Sequence, residues 1–292
     1  MVLELKKIVK KFDKRIALNS VDLLVENSPF LCIMGKHSSG KSTLLRVIAG
    51  IIEADDGEIN INENNIFSSL EYRKNIFYVS DNPLYMQDET IDYAIKIYKN
   101  FYKDFNVGFA KSQSEIYFGS ISIKISEMSL EDRKVLSIIL AIASEAKYVL
   151  LDETLDNIDK TKKEALFDLI LEENKNRGLS LIFTTQNINE VVKIATDIII
   201  LENGSVIYYE NLEVASFHKC KLQYMDKSLR SPEELFGNFR IVNSFSSGKV
   251  YIVILADTKH NVEEYLKNLN LEYFEFLKID INDILYDIPE IK

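Results

Sequence analysis

The chain has 292 residues, 47% of them hydrophobic, and a formal net charge of −10. That is enough apolar material for one large α/β domain with a smaller appendage, and it excludes an intrinsically disordered chain. The acidic balance, with no dense Lys/Arg run against it, argues against a nucleic-acid partner held by counterion release.

Residues 2–9 and 21–25 carry apolar residues in the pattern of two strands, with KKFDKRIA between them read as a turn. Phe12 sits on that turn, where an aromatic ring either stacks on a base or packs half-buried. The stretch FLCIMGKHSSGKSTLLRVIAG, residues 30–50, then runs from an apolar strand through a small-residue loop into an amphipathic helix. This is the pattern of a phosphate-binding loop. Gly35 and Gly40 permit a tight turn whose N–H groups converge on phosphate oxygens, and the helix opening at Lys41 adds its positive dipole end. Lys41 is expected to reach the outer phosphates, Ser42 to give its hydroxyl to a magnesium ion, and Thr43 to assist at the innermost phosphate.

After this helix, DDGEINI reads as turn and strand, and NIFYVS as another strand that ends at Asp81-Asn82-Pro83. Residues 90–118 place Ile, Tyr and Phe at helical spacing and predict a mostly helical insertion. A further helix is expected over 127–144, its start marked by Ser129 with Asp132 three residues on. KYVLLDE is a buried strand that brings Asp152 and Glu153 to its carboxyl end, where ligands bind in open α/β sheets. One carboxylate suits a metal held through water and the other suits polarising an attacking water. Helix 160–176, strand SLIFTT, helix 187–195 and strand DIIIL complete an alternation that implies a parallel, helix-covered sheet.

From about residue 211 the texture changes to short helices and the strands FRIVNSF, KVYIVILA and LEYFEFLKI, which predicts a small α+β domain over 211–292. His218 and Cys220 lie close together there but do not make a zinc ligand set. Cys32 and Cys220 are far apart, which fits a reducing, cytoplasmic setting. MVLELKK lacks a signal peptide's apolar segment, and no apolar run approaches the ~20 residues that span a bilayer, so any membrane role is expected to come through a partner.

Together these pieces resemble the ATP-binding subunit of an ABC transporter, over about residues 1–210 and in the family's order. The resemblance implies an α/β P-loop NTPase of ABC ATPase type, with a mostly parallel sheet, antiparallel N-terminal strands and a helical insertion at about 84–144. It places Phe12 at the adenine-stacking position and Gly35, Ser38, Ser39, Gly40, Lys41, Ser42 and Thr43 in the Walker A loop around ATP and Mg2+. Glu153 falls at the catalytic glutamate, Asp152 at the Walker B aspartate that holds magnesium through water, and Asp159 at the D-loop aspartate. It also implies a membrane-spanning partner subunit, a second ATP-binding subunit, and a place on the cytoplasmic face of the membrane. The insertion with YKNFYKDFN and the tail NDILYDI look most like single-domain subunits of bacterial exporters.

Several family positions are altered. The signature falls on Met128-Ser129-Leu130-Glu131-Asp132, which keeps the serine and loses both glycines. A Glu131 charge ~6 Å from a phosphate would cost about 1 to 3 kcal/mol for effective dielectrics of about 80 to 20. The Q-loop position holds Asp81, assigned with Ser42 and Asp152 to the metal, and the switch-histidine position holds Gln186. Within the Walker A loop Ser38 takes a place often held by glycine, and His37 beside it is expected to face solvent. These departures predict slow ATP hydrolysis, or alternatively an ATP-binding regulatory subunit with little or no turnover.

Overall fold

The computed structural model describes residues 2–26, 29–68, 70–83, 88–187 and 194–286. Its strands and helices fall into two compact units, Met1–Tyr209 and Glu210–Lys292.

The first unit opens with β1 (Leu3–Phe12) and β2 (Arg15–Val25), then β3 (Phe30–Met34) and helix α1 (Lys41–Ile48). Next come β4 (Asp56–Ile61), β5 (Asn64–Asn65), α2 (Leu70–Arg73) and β6 (Ile76–Val79). Helices α3 (Ile91–Phe101), α4 (Val107–Phe118) and α5 (Leu130–Ala143) precede β7 (Tyr148–Asp152). The unit closes with α6 (Lys160–Arg177), β8 (Ser180–Thr184), β9 (Asp197–Glu202) and β10 (Ser205–Asn211).

The expected turn KKFDKRIA is corrected to a two-residue connection, because β1 and β2 run on to pair Lys11 with Ile16 and Phe12 with Arg15. Only Asp13 and Lys14 lie between the strands, with Asp13 at φ +51°. The polar composition of this stretch reflects an exposed hairpin end and not a long loop. The expected helix over 187–195 falls mostly outside the described residues.

Two sheets share one core. An antiparallel sheet of order β2-β1-β4-β5 faces a second sheet of order β10-β9-β3-β8-β7-β6, in which β9, β3, β8, β7 and β6 pair in parallel. Strands β3 and β7 are buried at every position, as parallel strands covered on both faces must be. Helix α1 lies in the layer between: Leu44, Leu45, Val47 and Ile48 join Leu3 and Ile8 of β1 and Leu31, Ile33, Leu150 and Ile199 of the parallel sheet in one buried cluster.

The helical insertion is tied to the sheet edge by aromatic rings. Phe77 of β6 stacks on Tyr98 and Tyr102, at centroid distances of 5.4 and 5.3 Å, which fixes α3 beside the strand that leads to Asp81. Thr90 and Asn106 cap α3 and α4 by accepting the N–H groups of Tyr93 and Phe109. Helix α5 is no surface element, since Lys134 to Ala143 are all buried. Ser129 caps it as expected, accepting the Asp132 N–H.

The second unit contains α7 (Leu212–Phe217), β11 (Cys220–Met225), α8 (Pro232–Phe236), β12 (Ile241–Ser247), β13 (Val250–Leu255), α9 (Lys259–Leu266), β14 (Tyr273–Leu277) and α10 (Ile281–Leu285). Its sheet has the order β12-β13-β11-β14 with every neighbouring pair antiparallel. From β11 onward the succession is βαββαβ, the ferredoxin-like arrangement. Alternate residues Cys220, Leu222 and Tyr224, with Leu255, Val253 and Tyr251 opposite, form one face and pack on Phe236, Val262 and Leu266 of the helices.

Leu44→Ala is expected to cost about 2–5 kcal/mol, because Leu44 is fully buried where both sheets of the first unit meet α1. Guanidinium unfolding measures this; a loss under about 1 kcal/mol would mean that the two sheets do not depend on a common core.

Candidate functional site

The loop between β3 and α1 takes its shape from two glycines. Gly35 has φ +155°, and a Cβ there would meet the Leu201 carbonyl oxygen at 2.3 Å. Gly40, the residue before α1, has φ +110°, and a Cβ would meet the Ala17 carbonyl oxygen at 2.6 Å. The loop is thus held against β2 and β9 by backbone approaches that only glycine allows. No side chain caps α1, and its first intrahelical acceptor, the Gly40 carbonyl, serves Leu44. The N–H groups of Lys41, Ser42 and Thr43 therefore have no acceptor within the helix. Ser39 is buried, and its Oγ has no hydrogen-bond partner among the described residues.

Lys41 is 4% exposed and bends back over the loop, donating to the carbonyls of Gly35 at 2.8 Å and Lys36 at 3.1 Å. Its Nζ lies 3.5 Å from Glu153 Oε1. Glu153 follows the end of β7 with φ +46°, a left-handed conformation uncommon for a residue with a side chain. Its N–H donates to Thr184 Oγ1 at 2.8 Å, and its Oε1 accepts from Gln186 Nε2 at 3.1 Å. The phosphate-loop cation, the carboxylate after the buried strand and the expected switch position therefore converge on one another.

Asp152 is 1% exposed and is held by three hydroxyls. Ser42 and Thr184 donate to its Oδ1, each at 2.9 Å, and Tyr78 donates to its Oδ2 at 2.9 Å. Arg46 Nε in turn donates to the Tyr78 hydroxyl at 3.2 Å. Burial, reinforced by the Asp152 charge and opposed by Arg46, pushes the Tyr78 phenol up to about 12. The hard oxygen donors of Ser42 and Asp152, already adjacent, suit magnesium, and the glycine cradle with the orphaned Ser39 hydroxyl suits phosphate oxygens.

A cavity of about 400 Å³ runs along this loop and is lined by Phe12, Arg15, His37, Lys41, Ser42, Thr43, Asp81 and Glu153 among others. Phe12 is 46% exposed, with the Lys10 ammonium 5.6 Å from its ring centroid, so it belongs to the cavity wall and not to the core. Ser38 has φ +64°, and its carbonyl accepts from Arg15 Nη2 at 2.9 Å. His37 lines the same cavity at the surface. Asp81 is exposed at the mouth, and the loop leading to it is anchored by Thr154 Oγ1, whose one proton is shared among nearby carbonyls that include those of Val79 and Ser80.

The signature stretch lies apart from these residues, at the start of α5. Ser129 both accepts the Asp132 N–H and donates its hydroxyl to Asp132 Oδ2 at 2.8 Å. Leu130 is 44% exposed. Glu131 is ion-paired within the chain. Its Oε1 lies 3.1 Å from Lys162 Nζ and accepts the Asp159 N–H at 3.3 Å, while Lys162 also donates to Asp132 at 2.8 Å. The repulsion toward a phosphate is therefore offset within the same chain. Asp159 caps α6, accepting the N–H groups of Thr161 and Lys162, and these hydrogen bonds hold its carboxyl below the usual range.

Sequence reasoning missed Arg15, Arg46, Tyr78, Lys134, Lys162 and Thr184. Buried Lys134 of α5 donates to the carbonyls of Glu153 and Asp156, linking the signature helix to the Asp152–Asp159 segment. The one available signal was polarity at strand ends: Thr184 closes β8 beside Asp152, and Tyr78 carries the hydroxyl of an otherwise apolar β6. Among the described residues no group of three His, Cys, Asp or Glu side chains could hold a metal ion, and His218 with Cys220 forms none. No described helix is long and apolar enough to cross a membrane.

Comparison with known proteins gives a consistent result. A family model described as ABC transporter matches residues 18–156, from β2 through β7 and past Glu153. The ABC transporter ATP-binding protein YtrB of Bacillus subtilis is 25% identical over 97% of this chain and 96% of its own length. An uncharacterized ABC transporter ATP-binding protein of Borreliella burgdorferi is 30% identical over 73% of this chain, and the galactose/methyl galactoside import ATP-binding protein MglA of Clostridium tetani 25% over 71%. The chain spans about half the length of these last two. Among solved structures, the dimeric post-hydrolysis ATP-binding cassette MJ0796 bound to ADP and Pi shares the fold, with TM-score 0.65 and 23% identity over 72% of this chain and 98% of that one. The chain is similar to ABC transporter ATP-binding proteins in sequence and shares the fold of an ATP-binding cassette.

Proposed function

We propose that this chain binds and hydrolyses ATP to drive a separate membrane-spanning subunit, pairing with a second ATP-binding subunit over the nucleotide. The observation that carries the reading is the convergence of Lys41, Ser42, Asp152, Glu153 and Gln186 at one end of the parallel sheet. The N–H groups opening α1 and the Lys41 ammonium bind the phosphates, and Phe12 offers its exposed ring to the base. Ser42 and Asp152 would hold Mg2+, which neutralises phosphate charge and orients the outer phosphate. Glu153 is the carboxylate set to take a proton from water, and Gln186, donating to it, fixes its orientation. Glutamine orients but does not titrate near neutral pH, so proton exchange by a histidine has no counterpart here. Asp81 and the helical insertion face the membrane partner, which keeps the chain at the cytoplasmic side of the membrane.

We further propose export as the direction, supported by the resemblance of the YKNFYKDFN insertion and NDILYDI tail to single-domain exporter subunits. Relatives named as import proteins carry the same ATP-binding unit, so that unit alone does not set direction. Comparing cells with and without an intact copy tests it: export leaves a compound enriched inside the deficient cells, whereas import leaves one depleted.

An ATP-binding subunit with little turnover is the second reading. It is favoured by the Ser129 hydroxyl, which is committed to Asp132, and by the bulk of Leu130.

Lys41→Ala is expected to weaken ATP·Mg binding at least tenfold, about 1.4 kcal/mol, measured by calorimetry. Unchanged affinity would remove the phosphate site from this loop. Glu153→Gln is expected to keep ATP affinity and lower turnover by roughly 10²–10⁴-fold, the range for loss of a positioned base. Turnover persisting at the wild-type rate in the assembled complex would instead support the second reading. Replacing Leu130 and Glu131 together by glycine is expected to tighten ATP-dependent pairing, chiefly through Leu130 because Lys162 already offsets Glu131. Sedimentation in ATP reports pairing, and thermal unfolding corrects for a helix cost of about 1 kcal/mol per glycine. A folded variant that pairs no better would show that this surface is fitted to its own partner.

A further inference from the structure

Of the three hydroxyls on Asp152, those of Ser42 and Thr184 have a second use: Ser42 is a metal donor, and Thr184 accepts the Glu153 N–H. Tyr78, on β6, donates its hydroxyl to Asp152 Oδ2 and accepts from Arg46 Nε, so it links the carboxylate to a cation.

We propose that Tyr78 is a positioning residue, which orients the Asp152 carboxylate for a divalent metal and, as a neutral spacer, keeps the Arg46 guanidinium off it. The inference rests on the reading that a metal–nucleotide complex occupies this cleft.

The geometry leaves little freedom. A phenol has one proton, and because Arg46 Nε donates to the oxygen, that proton is directed at Asp152 Oδ2. Asp152 Oδ1 is already served by two donors, so Tyr78 is the group that fixes the second oxygen and hence the plane of the carboxylate.

Charge explains why a hydroxyl stands between the two ions. An arginine beside a buried carboxylate forms a strong, often bidentate pair. Such a pair at Asp152 would use the negative charge a metal requires. Tyr78 transmits a polarised hydrogen bond without delivering the cation. Remove its oxygen, and Arg46 loses the partner of its Nε while the Asp152 and Asp81 carboxylates still attract it. A merely structural tyrosine, tying β6 to β7, makes none of these charge predictions.

The test uses Mn2+ as the probe on the full chain saturated with ADP, with free Mn2+ followed by electron paramagnetic resonance. Wild type, Tyr78→Phe, Arg46→Met and the double variant are compared, alongside ADP affinity in EDTA. Tyr78→Phe is expected to weaken Mn2+ about tenfold, the low end for loss of an outer-shell partner, with metal-free ADP affinity unchanged. Arg46→Met alone is expected not to weaken Mn2+, and adding it to Tyr78→Phe to recover most of the loss. Mn2+ affinity unchanged in Tyr78→Phe, an equal loss with and without metal, or a double variant weaker than Tyr78→Phe would each overturn the proposal. If Tyr78→Phe does not fold, Arg46→Met decides: unchanged or tighter Mn2+ binding supports the spacer, and weaker binding overturns it. Wild type that binds ADP but no Mn2+ would overturn the underlying reading of the cleft instead.

Discussion

The first unit is arranged around a buried negative charge. An ionised carboxylate as enclosed as that of Asp152 is costly to desolvate, so it requires hydrogen-bond donors on both oxygens. The donors come from α1, β8 and β6, and Asp152 itself ends β7. Four elements must therefore meet in register at one point. Parallel pairing of Leu151 with Phe183 and Asp152 with Thr184 brings the threonine alongside, and the pairing of Tyr78 with Leu150 brings the phenol within reach. What stabilises the charge also assembles the chemistry, because Glu153 is the next residue and its left-handed backbone is secured by Thr184.

That constraint explains what could be read from the sequence. The phosphate loop and the Asp152-Glu153 pair are local patterns, in which a strand, two glycines or two acids signal their role by spacing alone. The parallel sheet followed from the alternation of apolar strands and helices. Tyr78, Arg46 and Thr184 carry no such mark, since their meaning depends on strand register, and register emerges only when the sheet forms. The pairing of Glu131 with Lys162 spans 31 residues and two helices, and so escaped a reading that treated the signature as a short motif. The N-terminal hairpin was misread for a simpler reason: its tip is exposed on both faces, so an apolar pattern was absent where strand geometry continued.

The stretch expected to hold the signature is structurally coherent. Glu131, Asp132, Asp159 and Lys162 join the starts of α5 and α6, while buried Lys134 ties α5 to the carbonyls of Glu153 and Asp156. Where the resemblance leads one to expect two glycines stand Leu130, exposed and apolar, and Glu131, committed to an internal ion pair. Exposed pairs of this kind contribute little stability, typically about 0–1 kcal/mol. Their consequence lies in local order: the surface offered to a partner is defined by contacts within the chain before any partner arrives.

The central claim is that the Asp152 cluster and the loop preceding α1 together receive ATP·Mg. A crystal structure of the chain with ATP and Mg2+ tests it most directly. The account predicts that the Lys41 ammonium leaves the Gly35 and Lys36 carbonyls for phosphate, Ser42 Oγ turns from Asp152 to the metal, and Tyr78 keeps its hydrogen bond to Asp152. A nucleotide bound elsewhere, or bound here with Lys41 and Ser42 still on their present partners, would contradict it.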